Sequence, residues 1–312
     1  MHYISLLVHE NFPVVINTIE NFLKHTDAIV VVHISKSANF SREILERYSR
    51  DRFRERVIIN KESEETYWGN VYNAMLCNIR FILKITNQND VISFNASNDL
   101  FVKDLNIEEI TSRPNRFQQR IYKKAGIWSQ SKFAFDDQNI QKFIKQEGLN
   151  CIVASQIEGS SYCCSAMQEI VRIIDKYKLT EGRSFAREEI LFSTAANLMR
   201  LRPDSNPYVF SELHRIDRKM FEIEKRFDVF PAPNRFKKLL VAHLQKKVWD
   251  DKKNRIGKGD IDAIINKTMK IAPVKDGELL YYPYASCDEI YAVKRVPRLT
   301  DDPIRMYISS LK

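Results

Sequence analysis

Two adjacent carboxylates, Glu188 and Glu189, head the apolar-periodic segment Arg187-Glu188-Glu189-Ile190-Leu191-Phe192-Ser193-Thr194. A carboxylate that faces a cleft is a general base, able to take the proton from an attacking hydroxyl. On a helix, adjacent side chains point about 100° apart, so the pair cannot share one face, and Ile190, Leu191 and Ala195 bury the turns that follow. One Glu is therefore expected to face a cleft and the other solvent. The competing reading is an acid-rich first turn that complements the positive end of the helix dipole.

The elements that must position these acids alternate along the first half of the chain. Strands are expected over 3–8, 28–34, 56–59 and 91–94, and helices over 12–23, 42–48 and 71–85. Strands separated by helices make parallel βαβ units with helices on both faces of the sheet. Ligands bind at the carboxyl ends of such strands. This singles out His33-Ile34-Ser35-Lys36-Ser37, Thr66-Tyr67-Trp68-Gly69-Asn70 and Asn95-Ala96-Ser97-Asn98-Asp99. Trp68 either borders the cleft or staples a helix start to the core, and Gly69 lets a ligand approach the backbone. Asp99 either accepts a ligand hydroxyl or caps its own turn.

Further on, 137–146 and 166–177 read as helices and 151–156 as a strand, with Trp128 placed either at an acceptor site or in packing. Residues 203–277 read mostly as helix, and 279–284 and 289–296 as strands. Asp260-Ile261-Asp262 spells a DxD, which in many nucleotide-sugar transferases holds a metal, but it opens an amphipathic helix after Gly257 and Gly259, so Asp260 is read as an N-cap.

The 312 residues, 44% hydrophobic, suffice for a large core. Residues 1–15 lack the basic start and cleavage site of a secretion signal, and no apolar run nears the roughly 18 residues of a membrane span. The five cysteines show no metal-ligand spacing and are read as reduced thiols of a cytosolic protein. A net charge of +9 and a pI near 9.2 favour a polyanionic partner. Basic residues are densest at 215–225, 235–253 and 294–305. In the middle block Phe236, Leu239, Leu240, His243, Leu244 and Val248 recur at helical spacing, read first as a core-facing helix and second as a membrane-surface one. There is no zinc-finger or aromatic RNA-binding motif, so a nucleic-acid-binding α/β protein is the rival supported by charge alone.

His9, His33-Ile-Ser-Lys-Ser, Trp68-Gly-Asn and Ala96-Ser-Asn-Asp-Leu-Phe-Val-Lys103 come in the order of the nucleotide-binding half of the core-2/I-branching N-acetylglucosaminyltransferase and peptide xylosyltransferase family. Glu158-Gly-Ser-Ser-Tyr162 resembles that family's G-S-x-W turn, Glu188-Glu189 with Thr194 its P-D-E-x-x-x-x-T, and Tyr291-Ala-Val-Lys-Arg295 its F-A-R-K-F. Ser35 stands where the family carries an acid, Phe101 and Arg187 where it carries prolines.

The resemblance implies an α/β, GT-A-like fold: a Rossmann-like, mostly parallel sheet with helices on both faces and a helical C-terminal portion. It divides the chain into a catalytic core over 1–205, whose nucleotide-binding half is 1–103 and whose acceptor half is 104–205, a helical subdomain over 206–280, and C-terminal strands over 281–312 that return to the site. It implies a metal-independent, inverting glycosyltransferase without a cofactor, in which Glu189 is the base and Glu188 its helper. His9, His33, Ser35, Trp68, Gly69 and Asp99 would contact the nucleotide-sugar donor, a UDP-sugar in the family's pattern. Lys294 would bind the diphosphate, with Arg295 and Arg298 as neighbours able to substitute. Ser160, Tyr162 and Trp128 would line the pocket of a glycan or glycolipid acceptor. A further reading is a transferase-like binding module without activity. The expected setting is the bacterial cytoplasm, with peripheral contact to the anionic inner membrane and synthesis of lipopolysaccharide or capsule.

Overall fold

The computed structural model describes residues 1–9, 11–67, 69–182, 184–228 and 234–311. The first half follows the alternation: β1 (His2–Val8), α1 (Phe12–His25), β2 (Ile29–Ile34), α2 (Arg42–Arg52), β3 (Val57–Ile59), α3 (Tyr72–Leu83) and β4 (Val91–Ala96). These strands are parallel and lie in the order β3-β2-β1-β4. The period of two sorts their side chains. Ile4, Leu6 and Val8 face a core that also takes Val15, Ile16, Ile19 and Phe22 from one stripe of α1, whereas Tyr3, Val31, Ile92 and Phe94 face the opposite core with Met75, Leu76 and Ile79 of α3. The chain is thus a mixed α/β protein with a mostly parallel central sheet covered on both faces.

The second half begins with β5 (Leu100–Phe101), α4 (Ile107–Ser112) and β6 (Arg120–Tyr122), and continues through α5 (Ser129–Asp136) and α6 (Gln138–Gln146) to β7 (Ile152–Ala154), which pairs antiparallel with β6. Next, β8 (Ser161–Cys163) adds an antiparallel edge to β4 and leads into α7 (Cys164–Lys176) and α8 (Glu188–Leu198). The remaining elements are β9 (Val209–Phe210), α9 (Leu213–Asp228), α10 (Asn234–Asp250), α11 (Lys258–Ile265), β10 (Val274–Asp276), β11 (Leu279–Tyr281), β12 (Ala292–Val293) and α12 (Pro303–Ser310).

Segments 206–280 and 281–312 are not separate from the core. A three-stranded sheet in the order β5-β12-β9 stitches them to it, with β12 antiparallel to β5 and parallel to β9. The strand expected over 289–296 is reduced to the two residues of β12, because only they find partners on both sides.

Helix α10 departs from the expectation of a core-facing helix. None of its described residues is buried: Leu240, Leu244 and Val248 are half-buried on the side packed against α9, while Phe236 and Leu239 stay 57% and 66% exposed. Among the described residues no helix is long and apolar enough to cross a membrane. The five cysteines are unpaired, and all but Cys163 are buried.

Candidate active site

The site forms where the carboxyl end of β4 meets two turns and the head of α8. After β4 the chain reverses at 97–99, and Asp99 accepts the N–H of Ala96 at 2.8 Å with Oδ2. This contact realises the turn-cap reading. The residue is fully buried, and its Oδ1 has no partner among the described residues. Burial raises its pKa well above the usual carboxylate range, and Glu158 adds to this against the pull of Lys294.

The second turn carries Glu158. Gly159 has φ +78°, donates its N–H to Phe94 at 2.7 Å and lies so close to β9 that a Cβ would stand 2.4 Å from the Val209 nitrogen. No other residue type fits this backbone and this approach. The turn holds Glu158 over the end of β4, where its Oε1 meets the Lys294 ammonium at 2.6 Å. Lys294 follows β12 and is anchored by its own N–H on Phe210 at 2.8 Å. Burial works against its charge, but the fields of Glu158, Glu189 and Asp99 outweigh it and raise the pKa. The pair is nearly closed off, the side chains being 13% and 14% exposed.

Helix α8 supplies the two acids. Its first turn is pinned by Arg187, which is buried, ion-pairs with Asp137 and donates to Leu179 at 2.8 Å. On the other side Thr194 exchanges 3.0 Å hydrogen bonds with the backbone of Val153, tying α8 to β7, and the Glu189 carbonyl accepts from Ser155 at 2.8 Å. The expected split between cleft and solvent is not what forms. Glu188 is buried at 5% exposure and Glu189 is half-buried, because β7 and the packed loops close over both flanks of the turn. Burial, then Glu189 and Glu158, push the Glu188 pKa up to about 8, with Lys294 opposing. Burial also raises Glu189, against Arg120 and Lys294 and with Glu158.

Three groups absent from the sequence reading complete the cluster. Arg120 on β6 is buried beneath Trp128 and Tyr281, its guanidinium 4.7 and 5.3 Å from their ring centres, and its charge acts on Glu189. Asp217 on α9 is raised to about 7 by burial, with Arg120 opposing and Glu189 adding. His214 is held neutral by burial and by the charges of Arg120 and Lys294, and its Nε2 lies 3.0 Å from Gln156 Oε1. The local pattern hid Arg120: Arg116, Gln118, Arg120 and Tyr122 are all buried while Ile121 is 43% exposed, the reverse of the usual polar-out alternation. Asp217 follows the buried Ile216 and gave no signal either.

The other expected residues divide. His33 is fully buried and accepts the Glu64 N–H at 2.9 Å with Nε2, burial lowering its pKa to about 4. Ser35 Oγ accepts the Thr66 N–H at 3.0 Å. Both therefore fasten the 64–66 segment to the end of β2 and do not point into open space. Gly69, at φ +78°, accepts from Ser184 at 2.6 Å and so links the approach to α3 with the loop before α8; Trp68 lies outside the described residues. His9 and Arg298 are exposed.

Arg295 reaches Glu212 at 3.3 Å and covers Trp249, its guanidinium 4.9 Å from the ring. Ser160 and Tyr162 do not line a pocket. Ser160 is fully buried and donates to Ile157 at 2.7 Å, and Tyr162 stacks on Phe117 at 5.2 Å inside the core. Period two on β8 turns Tyr162 inward. Trp128 is half-buried, and its packing on Arg120 brings it to the edge of the cluster. Asp260 is at the third position of α11, not the N-cap, and its carboxylate accepts from Gly257 at 3.1 Å and from Arg215 at 2.7 Å.

The acids thus stand as one group around Lys294 and Arg120. Chemically the arrangement offers a partly exposed carboxylate, Glu189, of raised proton affinity beside fixed positive charge. A cavity of about 390 Å³ lies on the outer side of His214, bordered by Phe210, Arg215, Arg218 and Met269, and none of the acids around Lys294 lines it. Among the described residues no group of three His, Cys, Asp or Glu is placed to hold a metal ion. In comparisons with known proteins, no family profile matches this chain and no curated sequence matches it significantly.

Proposed function

We propose that this chain is an inverting glycosyltransferase of GT-A-like organisation, which moves a sugar from a nucleoside-diphosphate donor to a hydroxyl of a glycan or glycolipid. The observation that supports it is the Glu158–Lys294 ion pair beside the Asp99 turn at the carboxyl end of β4, where open α/β sheets bind ligands. Glu189, from a distant part of the chain, is near enough for its charge to act on Lys294. Glu189 takes the proton of the acceptor hydroxyl as its oxygen attacks the anomeric carbon from the face opposite the diphosphate. One displacement breaks the bond to the diphosphate and inverts the centre, so no second carboxylate is needed as a nucleophile. The departing diphosphate gains negative charge, which Lys294 stabilises, assisted by Arg295 and Arg298. In this reading these cations do the work that a metal ion does in other transferases. Lys294 is neutralised by Glu158, so diphosphate replaces Glu158 as its counter-ion when donor binds.

A thermal-shift panel of nucleoside diphosphates, with and without EDTA, tests the reading. A rise in Tm with one of them, unchanged by EDTA, is expected. With a donor in hand, Glu189→Gln should remove transfer by a factor of about 10² to 10⁴ and keep nucleotide binding. Failure of every nucleoside diphosphate to stabilise the chain would sink the proposal. So would retained transfer in Glu189→Gln.

A further inference from the structure

Helix α10 carries one apolar stripe that is packed and a separate apolar pair, Phe236 and Leu239, that is not. Leu240, Leu244 and Val248, spaced four apart, are half-buried on the side of α9, where Gln245 also reaches Glu224 at 3.3 Å. Phe236 and Leu239 belong to a different stripe, which runs on through His243 and Lys246 at steps of three and four. Phe236, Leu239, His243 and Lys246 are all exposed, and so are Arg235, Lys238 and Lys247 beside them. Residues 234–255 hold eight Lys or Arg against two Asp, a surplus of six out of the chain's +9.

Exposed Phe and Leu on a helix flanked by lysines describe a surface with two affinities, one for anions and one for an apolar phase. We propose that the outer face of α10 docks on an anionic lipid surface. The helix lies in the plane of the interface, with Phe236 and Leu239 at the boundary of headgroups and acyl chains and Arg235, Lys238, Lys246 and Lys247 on the lipid phosphates. Nucleic acid would engage the basic residues but leave the Phe–Leu pair without a role. A second copy of the chain would bring two surpluses of positive charge together. Of these three occupants, a lipid surface is the one that satisfies both features.

The placement bears on the charged cluster. Trp249, near the end of α10, lies between the guanidiniums of Arg255 and Arg295, 5.2 and 4.9 Å from its ring centre. Arg295 adjoins Lys294, so the docking helix ends beside the cationic side of that cluster. The proposal itself does not depend on what reaction the cluster performs.

The test uses the full chain and cosedimentation with phosphatidylcholine vesicles, with and without phosphatidylglycerol. Binding is expected only with the anionic lipid and should weaken as salt is added. The double variant Phe236→Ser/Leu239→Ser should bind about tenfold more weakly or worse, with only a small change in Tm because both side chains are mostly exposed. Lys246→Gln and Lys247→Gln should each weaken binding about fivefold. Leu239→Trp should add fluorescence that shifts to the blue on binding and is quenched by brominated acyl chains. Undiminished binding by the double variant would overturn the proposal, since it leaves adsorption by charge alone. Equal binding to neutral vesicles, absence of vesicle binding together with self-association through α10, or a preference for oligonucleotides that the lysine variants lose and the Phe/Leu variant keeps would each overturn it too.

Discussion

Glu188 should make the protein less stable as the pH rises, and Glu188→Gln should remove that sensitivity. The carboxyl is 5% exposed, its Oε2 has no hydrogen-bond partner among the described residues, and burial with Glu189 and Glu158 raises its pKa from 4.5 to about 8. A raised acid is held protonated in the folded state and released in the unfolded chain. Below pH 4.5 both states carry the proton and the group contributes nothing. Between 4.5 and 8 only the unfolded chain loses it, which costs the folded state about 1.4 kcal/mol per pH unit. Linkage then gives a penalty of about 1 kcal/mol at pH 5, about 3 at pH 7 and about 4 at pH 8, levelling off near 5 at higher pH.

Glutamine has the shape of the protonated acid and cannot ionise. Urea unfolding of both proteins at pH 5, 7 and 8 therefore reads the effect as a difference. The variant should gain about 3 kcal/mol on the wild type between pH 5 and pH 8. Asp217, raised to about 7 chiefly by burial, titrates in both proteins and cancels from that difference. A gap that stays constant with pH, or one that widens in favour of the wild type, would refute the claim that Glu188 is buried as a neutral acid.

Two further expectations concern what holds the acids in place. Gly159→Ala should cost about 3 kcal/mol in chemical denaturation, because a Cβ at φ +78° would press to 2.4 Å on the backbone of Val209; a loss under about 1 kcal/mol would show that β9 yields easily. Arg187→Ala should cost about 3 kcal/mol by leaving Asp137 buried without its counter-ion, held only by the N–H groups of Asn139 and Ile140. Arg172→Ala, which breaks an exposed pair with Glu169, should change stability little, and equal losses in the two variants would undo the distinction.

The parallel half of the fold was legible because β1, β2 and β4 are largely buried on both faces and α1 and α3 each bury an apolar stripe. Val30, Val31 and Val32 or Val15, Ile16 and Ile19 have only one way to be covered. The three-stranded sheet was not legible. Its strands have two residues each and pair across long separations, residue 292 with 101 and with 209, so no local period marks them. On α10 the apolar residues were visible, but their division into a packed stripe and an unpacked pair depends on which face meets α9. At the site the sequence singled out Glu188, Glu189 and Lys294, which the fold gathers. It misplaced Ser160 and Tyr162, because a Gly-Ser-Ser-Tyr run reads alike whether the tyrosine faces a pocket or the core. Arg120 was hidden by an inverted strand pattern, with polar groups inward and Ile121 outward.

That inversion bears on what the cluster is for. Asp99, Glu158, Glu188 and Glu189 crowd around one lysine and one arginine, and burial raises three of those four acids. Apolar residues of similar volume would fill the same space at less cost, since buried charge is repaid only by close pairing and the Oδ1 of Asp99 and the Oε2 atoms of Glu158 and Glu188 have no partner among the described residues. Packing therefore does not explain the cluster. The backbone around it is rigid, fixed by the Gly159 turn, the Asp99 cap, the buried Arg187–Asp137 pair and the Thr194 bridge to β7. Titratable groups held off their ordinary pKa by an unyielding frame are arranged for proton transfer or for binding charge. Of the two adjacent acids, Glu188 is deeply buried and keeps its proton, which is why the partly exposed Glu189 is the one proposed as the base in transfer.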